Sequence, residues 1–224
     1  DPANSEEKYF HKKSALITGW RKAWNIGEFP FYWVQLANFE PPNDNPEGGD
    51  PWAQVRMAQL QGLSIANTGM AVAIDLADPG NPGDIHPKNK KDVGERLALW
   101  ALAKDYGKQE LVHSGPLYKA MRIEGDKIRI GFDHKGSGLM VGTKNGYEPT
   151  AKVPDGKLQR FAIAGDDRQW FWADAVTDGA TVLVSSPSVP HPVAVRYAYS
   201  KNPEGCNLYN EEGLPASPFR TDSW

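Results

Sequence analysis

Two short, almost wholly apolar runs constrain this chain more than any other feature: Phe31-Tyr32-Trp33-Val34-Gln35-Leu36-Ala37 and Met70-Ala71-Val72-Ala73-Ile74-Asp75-Leu76. A strand with one wet face alternates apolar and polar residues. These runs leave no wet face, so they fit strands buried on both sides, as in a parallel sheet. Each is followed by a loop rich in Pro and Gly and then by a helical pattern. Ahead of the first run, residues 13–25 place Leu16, Trp20, Ala23 and Trp24 on one helical face, with Gly27 as the stop. Asp50-Pro51 supplies an N-cap and a first-turn proline, which predicts a helix over residues 52–63. Residues 77–85 form a second loop carrying Asp78, Pro79, Gly80, Pro82, Gly83 and Asp84. His86-Pro87 is then expected to open a helix to about Tyr106, with Val93, Leu97, Trp100 and Ala101 on one stripe and Gly107 as its stop. Helix, strand, helix, strand, helix is half of a doubly wound α/β sheet.

Beyond residues 107–115 the period changes to two. Ile128, Ile130 and Phe132 alternate, as do Phe161 and Ile163, Trp170 and Trp172, and Val193, Val195, Tyr197 and Tyr199, while residues 181–184 are β-rich. Turn signals at Glu124-Gly125-Asp126, Gly165-Asp166-Asp167 and Asp178-Gly179 separate them, the grammar of a β-sandwich. The expected organisation is therefore an α/β unit over residues 1–110 and a β-rich, sandwich-like unit over residues 111–224. A chain of 224 residues that is 40% hydrophobic and 24% charged has ample material for a core, which excludes a disordered or coiled-coil chain. No stretch approaches the roughly 20 apolar residues of a membrane span. A net charge of −3 offers no basis for binding nucleic acid or an anionic membrane. The lone cysteine, Cys206, excludes an intramolecular disulfide and a Cys-rich metal site. The opening Asp1-Pro2-Ala3-Asn4, without initiator Met or signal segment, reads as a start inside a larger protein.

Among five histidines, His86 stands apart. His11 lies in a charged amphipathic segment, His113 in the linker, His134 in a Gly-rich turn and His191 between prolines, all settings that favour solvated or structural roles. His86 follows the loop that leaves a parallel strand, the edge where open α/β sheets bind ligands. Asp84, two residues upstream, is placed to orient the imidazole and stabilise its charged form. Asp75 and Asp78 compete for that role. The bland alternative is that Asp84 and His86 satisfy backbone amides at a helix start. A histidine base needs a nucleophile, and none stands in a recognisable setting: there is no Gly-x-Ser-x-Gly elbow. Ser137 sits in a turn, Ser14 on a helix face, and Cys206 in a late loop with no histidine beside it in sequence. Phosphate loops, Rossmann glycines and metal-ligand spacings are missing as well.

Several segments resemble the sialate O-acetylesterase family of SGNH (GDSL-like) carbohydrate esterases. They are Trp20-Arg21-Lys22-Ala23-Trp24, the run from Phe29-Pro30 through Asn38-Phe39, Asn67-Thr68-Gly69-Met70 continuing to Leu76, and Asp84-Ile85-His86-Pro87-Lys88-Asn89-Lys90. Ser114-Gly115-Pro116-Leu117-Tyr118, Val193-Ala194-Val195-Arg196-Tyr197-Ala198 and Leu214-Pro215-Ala216-Ser217-Pro218-Phe219-Arg220-Thr221 match in the same order. The resemblance implies the C-terminal part of a flavodoxin-like SGNH core with an accessory β-region. It implies removal of acetyl groups from sugar hydroxyls, of sialic acids or plant-type glycans, with no cofactor and no metal. His86 matches the family's catalytic histidine. The family's nucleophilic serine belongs to a Gly-Gln-Ser-Asn type motif on an N-terminal segment of the same precursor, a partner that this sequence does not contain. The wider class places Asp three residues before the histidine, whereas position 83 here is Gly and the carboxylate is Asp84. A Ser-His pair steered by a backbone carbonyl is the other arrangement open to it. Gln35 and Asn38 are candidates for lining the sugar site, with loop-ordering amides as the alternative. Trp52, Trp100, Trp170 and Trp172 could stack on sugars, though their periodicity suits a core. Glycan substrates point to a periplasmic or secreted location. The rival reading is a non-catalytic carbohydrate-binding or structural β-module with an incomplete hydrolase remnant.

Overall fold

The computed structural model describes residues 6–224, so Asp1 to Asn4, where the internal start was expected, lie outside the described residues. The chain is a mixed α/β protein with few helices. Helix α1 (Glu6–Trp24), strand β1 (Phe31–Val34), helix α2 (Pro51–Gln61), strand β2 (Thr68–Ala71) and helix α3 (Lys90–Lys104) form its first half. β1 and β2 pair in parallel, Phe31 against Thr68 through Val34 against Ala71, as two-sided apolar runs require. Both strands are shorter than expected. Residues 72–76 leave the strand but stay in the core: Val72, Ala73, Ile74 and Leu76 are all buried.

The remainder comprises β3 (Leu117–Glu124), β4 (Lys127–Asp133), β5 (Leu139–Thr143), β6 (Ala151–Lys152), β7 (Phe161–Gly165), β8 (Trp170–Trp172), β9 (Asp174–Asp178), β10 (Thr181–Ser185), β11 (Pro192–Tyr197), β12 (Leu208–Asn210) and β13 (Phe219–Arg220). They form three antiparallel sheets in the orders β3-β4-β10-β9, β13-β11-β7-β8 and β12-β5-β6. The alternation at Ile128, Ile130 and Phe132 places all three in the core. On β8 the pair splits: Trp170 is buried and Trp172 exposed. A register shift between Pro192 and Ala194 breaks the expected alternation of β11, so Ala194, Val195 and Tyr197 are all buried. One apolar cluster joins Ile17, Trp33, Met70 and Ile74 of the first half to Ile128, Phe161, Val195 and Phe219 of the second.

Two helix expectations need correction. In α1 the stripe Leu16, Trp20 and Trp24 faces outward, at 46%, 48% and 59% exposure, and the buried residue is Ile17. The inner face takes the stems of cationic side chains instead. Lys13 Nζ lies 3.7 Å from the centre of the Trp33 ring, and Arg21 donates to the carbonyls of Phe29 and Ala66. The third helix starts at Lys90, not at His86-Pro87, because Asn89 caps it by accepting from the Asp92 amide at 3.0 Å. Its inner face is Asp92, Arg96, Trp100 and Ala103, rotated from the expected stripe. Gly107, at φ +74°, follows the helix end as foreseen.

The start of α2 agrees with the sequence. Asp50 Oδ1 accepts from the amides of Trp52 and Ala53, both at 3.0 Å, while its Oδ2 accepts from the Lys201 amide at 2.6 Å. Losing the cap costs about 1 kcal/mol and losing a hydrogen bond to a charged group about 1.5–3 kcal/mol. Asp50→Ala should therefore destabilise the chain by about 2–4 kcal/mol in urea unfolding, well beyond a simple cap variant.

His113 and His134 pack around Trp100, with 5.3 Å between the imidazole centroids and 4.5 Å from His113 to the indole. Burial pushes both imidazoles below their ordinary value; Lys104 adds to this, while the Leu111 carbonyl (for His113) and Asp133 (for His134) oppose it. As pH falls through about 6.5, the unfolded chain takes up protons that the folded pair resists, so stability declines. Thermal melts from pH 7 to pH 5 should show a falling midpoint, and His113→Gln should flatten that decline.

Candidate active site

The loop leaving β2 carries the reactive candidates. His86 Nδ1 lies 2.9 Å from Asp84 Oδ1, and the same oxygen accepts from the His86 amide at 2.9 Å. The His86 amide first, and its ring second, hold the Asp84 carboxyl below the usual carboxylate range. An ionised Asp84 selects the tautomer with the proton on Nδ1, which leaves Nε2 as the basic nitrogen. The His86 side chain is 80% exposed and that of Asp84 41%. The ring therefore stands at the surface, in the loop that follows the parallel strand β2 in the chain.

The competing carboxylates are committed elsewhere. Asp75 forms a buried, two-pronged ion pair with Arg96 at 2.6 and 2.8 Å. Asp78 accepts from Lys88 Nζ at 2.7 Å and from the Gly80 amide at 2.9 Å. Sequence reasoning assigned no role to the contacts that hold this loop. The Lys88–Asp78 bridge closes it, Tyr147 Oη donates to the Lys88 carbonyl at 3.2 Å, and Asn89 Nδ2 donates to the Gly146 carbonyl at 2.8 Å. Lys144 Nζ then reaches Asp92 Oδ2 at 2.5 Å. The available signal was the Lys88-Asn89 pair directly after His86-Pro87.

Gln35 is not brought to this site. Its side chain is fully buried, donating to the Arg56 carbonyl at 3.1 Å and to Ser217 Oγ at 2.9 Å, so its amide orders the core. Asn38 is 7% exposed, faces Arg56 at 3.4 Å and lines a cleft of about 420 Å³ together with Asp78, Pro79 and Pro82 of the His86 loop. Trp52 and Trp100 spend their indole N–H groups on the carbonyls of Ala37 and Met70. Among the described residues, the hydrogen-bond partner of the His86 ring is Asp84 and not a hydroxyl. The Ser137 hydroxyl donates to Glu212 at 2.6 Å. Burial pushes the Cys206 thiol up to about 12, which keeps it protonated and unreactive. No helix of the described residues is long and apolar enough to cross a membrane.

A surface imidazole hydrogen-bonded to a carboxylate, in a loop that follows a parallel strand, is an arrangement that can accept and return a proton. The chain is indeed related to carbohydrate esterases. It is 31% identical to sialate O-acetylesterase of Mus musculus over 91% of its length, and 31% identical to that of Homo sapiens over 92%. Its fold matches the crystal structure of a carbohydrate acetylesterase from Xanthomonas citri at a TM-score of 0.84 and 44% identity, over 97% of this chain and 46% of that one. The chain thus corresponds to part of its relatives, spanning 39% of the mouse protein and 40% of the human one. No known family model matches it.

Proposed function

We propose that this chain is the histidine-bearing C-terminal part of an SGNH carbohydrate O-acetylesterase, acting by serine–histidine acyl transfer. The observation that carries the reading is the Asp84–His86 pair, 2.9 Å apart and exposed beyond β2, in a chain related to acetylesterases along nearly its whole length. Residues 1–110 supply the second half of a flavodoxin-like core, and residues 111–224 a sandwich-like accessory region. The serine comes from an upstream segment of the same precursor. It attacks the acetyl carbonyl while His86 Nε2 takes its proton; the C–O bond to the sugar then breaks, and His86 returns the proton to the departing hydroxyl. Water, activated by the same imidazole, releases acetate. Oxyanion donors come mostly from the upstream segment.

Asp84 holds the ring. Asn38 contributes at the sugar site from the cleft wall; Gln35 acts behind it, through Ser217 and the Arg56 carbonyl. An acetylated glycan as substrate agrees with a periplasmic or secreted enzyme. The outward aromatic face of α1 suits contact with the upstream segment.

The test is acetate release from p-nitrophenyl acetate by the purified chain, alone and combined with the upstream segment. Activity only in the combined sample, lost in His86→Ala, is the expected result. Robust activity from the chain alone overturns the missing-serine reading, and inactivity of both samples favours a binding module.

A further inference from the structure

We propose that the cleft of about 420 Å³ beside the His86 loop is a glycan subsite that reads the hydroxyls of a sugar unit neighbouring the acetylated one. This rests on the reading of His86 as the base of a carbohydrate esterase. The volume falls within the range of small-ligand sites. One wall comes from the strand exits, with Asn38 after β1 and Asp78 after β2; the other comes from the β-rich half, with Gln159, Asn202 and Asn207. Asp78 belongs to the same loop as His86, so a sugar seated here lies beside the catalytic segment.

The chemistry of the walls selects the ligand. The ionised groups that could attract a charged ligand are already neutralised: Asp75 by Arg96, Asp78 by Lys88 and Lys144 by Asp92. Lys157 and Glu204 remain at the cleft with opposite signs. Asn207 spends its amide on the Gln159 N–H and the Lys157 carbonyl, which leaves the exposed Gln159 amide as a group that can both donate and accept, as a sugar hydroxyl does. Asn202 adds an independent pointer. It is 4% exposed, its Nδ2 is committed to the Glu40 carbonyl, and its buried Oδ1 has no hydrogen-bond partner. Native structures rarely leave such an acceptor unsatisfied, and Asn202 is itself one of the residues that line the cleft.

The experiment uses the complete esterase, this chain joined to its upstream segment. Its His86→Ala form is titrated calorimetrically with xylotetraose, which is neutral, and with 3′-sialyllactose, which carries a carboxylate. Gln159 is exposed on the cleft wall, so Gln159→Trp fills the cleft without touching the core. Xylotetraose should bind, and at least tenfold more weakly once Gln159→Trp is added. The ratio of kcat/KM on an acetylated oligosaccharide to that on p-nitrophenyl acetate should also fall at least tenfold with Gln159→Trp. Equal affinity with and without the tryptophan, binding of neither probe, preference for 3′-sialyllactose, or an unchanged ratio overturns the subsite. Because calorimetry needs no turnover, failure of His86 as a base and failure of the subsite give different results.

Discussion

His86→Ala in the complete esterase is expected to lower kcat on acetylated substrates by about a millionfold, with little change in the thermal midpoint. On the proposed mechanism, the large loss follows from removing the group that would take and return the serine proton. The small stability effect follows from a side chain that is 80% exposed and buries almost nothing. Asp84→Asn should cost less, about tenfold to a hundredfold, because an amide oxygen in place of Oδ1 can still accept from the His86 N–H and ring, and the carboxylate it replaces is part-solvated. Steady-state kinetics beside thermal melts of the same samples separate the two effects. A His86→Ala enzyme within tenfold of the parent would remove the imidazole from the chemistry.

The largest stability effect should come from Asp75. It faces Arg96 through two hydrogen bonds with both side chains almost fully buried, and Tyr209 Oη donates to the same carboxylate at 3.3 Å. Arg96 also donates to the Val72 carbonyl at 2.6 Å, so the pair ties α3 to the segment that leaves β2. Asp75→Ala strands a buried guanidinium and should destabilise by about 3–5 kcal/mol, whereas the double substitution Asp75→Leu with Arg96→Met should recover most of that loss. Urea unfolding of the single and double variants makes the comparison. A single variant within 1 kcal/mol of the parent would show that the guanidinium finds another partner.

What was legible in the sequence was what is local. Asp50-Pro51 announced α2 because a cap and a first-turn proline act within three residues. The two apolar runs announced a parallel pair because burial on both faces leaves no alternation. The Asp84–His86 pairing was legible from a two-residue spacing. The inner face of α1 was not, because an apolar stripe is read as inward while Lys13 and Arg21 take that side with their stems. Asp75 and Gln35 were visible as polar residues inside apolar runs, but Arg96 and Ser217, their hydrogen-bond partners, lie 21 and 182 residues further along. Short strands such as β5 and β12 carry too few residues to show a period. The brace of the His86 loop by Tyr147 and Gly146 joins loops 59 and 57 residues apart, which only tertiary structure brings together.

The most direct test of the proposed mechanism is to label the complete esterase with a fluorophosphonate and map the modified residue by mass spectrometry. Such reagents capture a serine activated by a neighbouring base. The label is predicted to fall on a serine outside these 224 residues, at a rate that collapses in His86→Ala. Modification of a serine within this chain, or labelling of His86→Ala at the parent rate, would contradict the account.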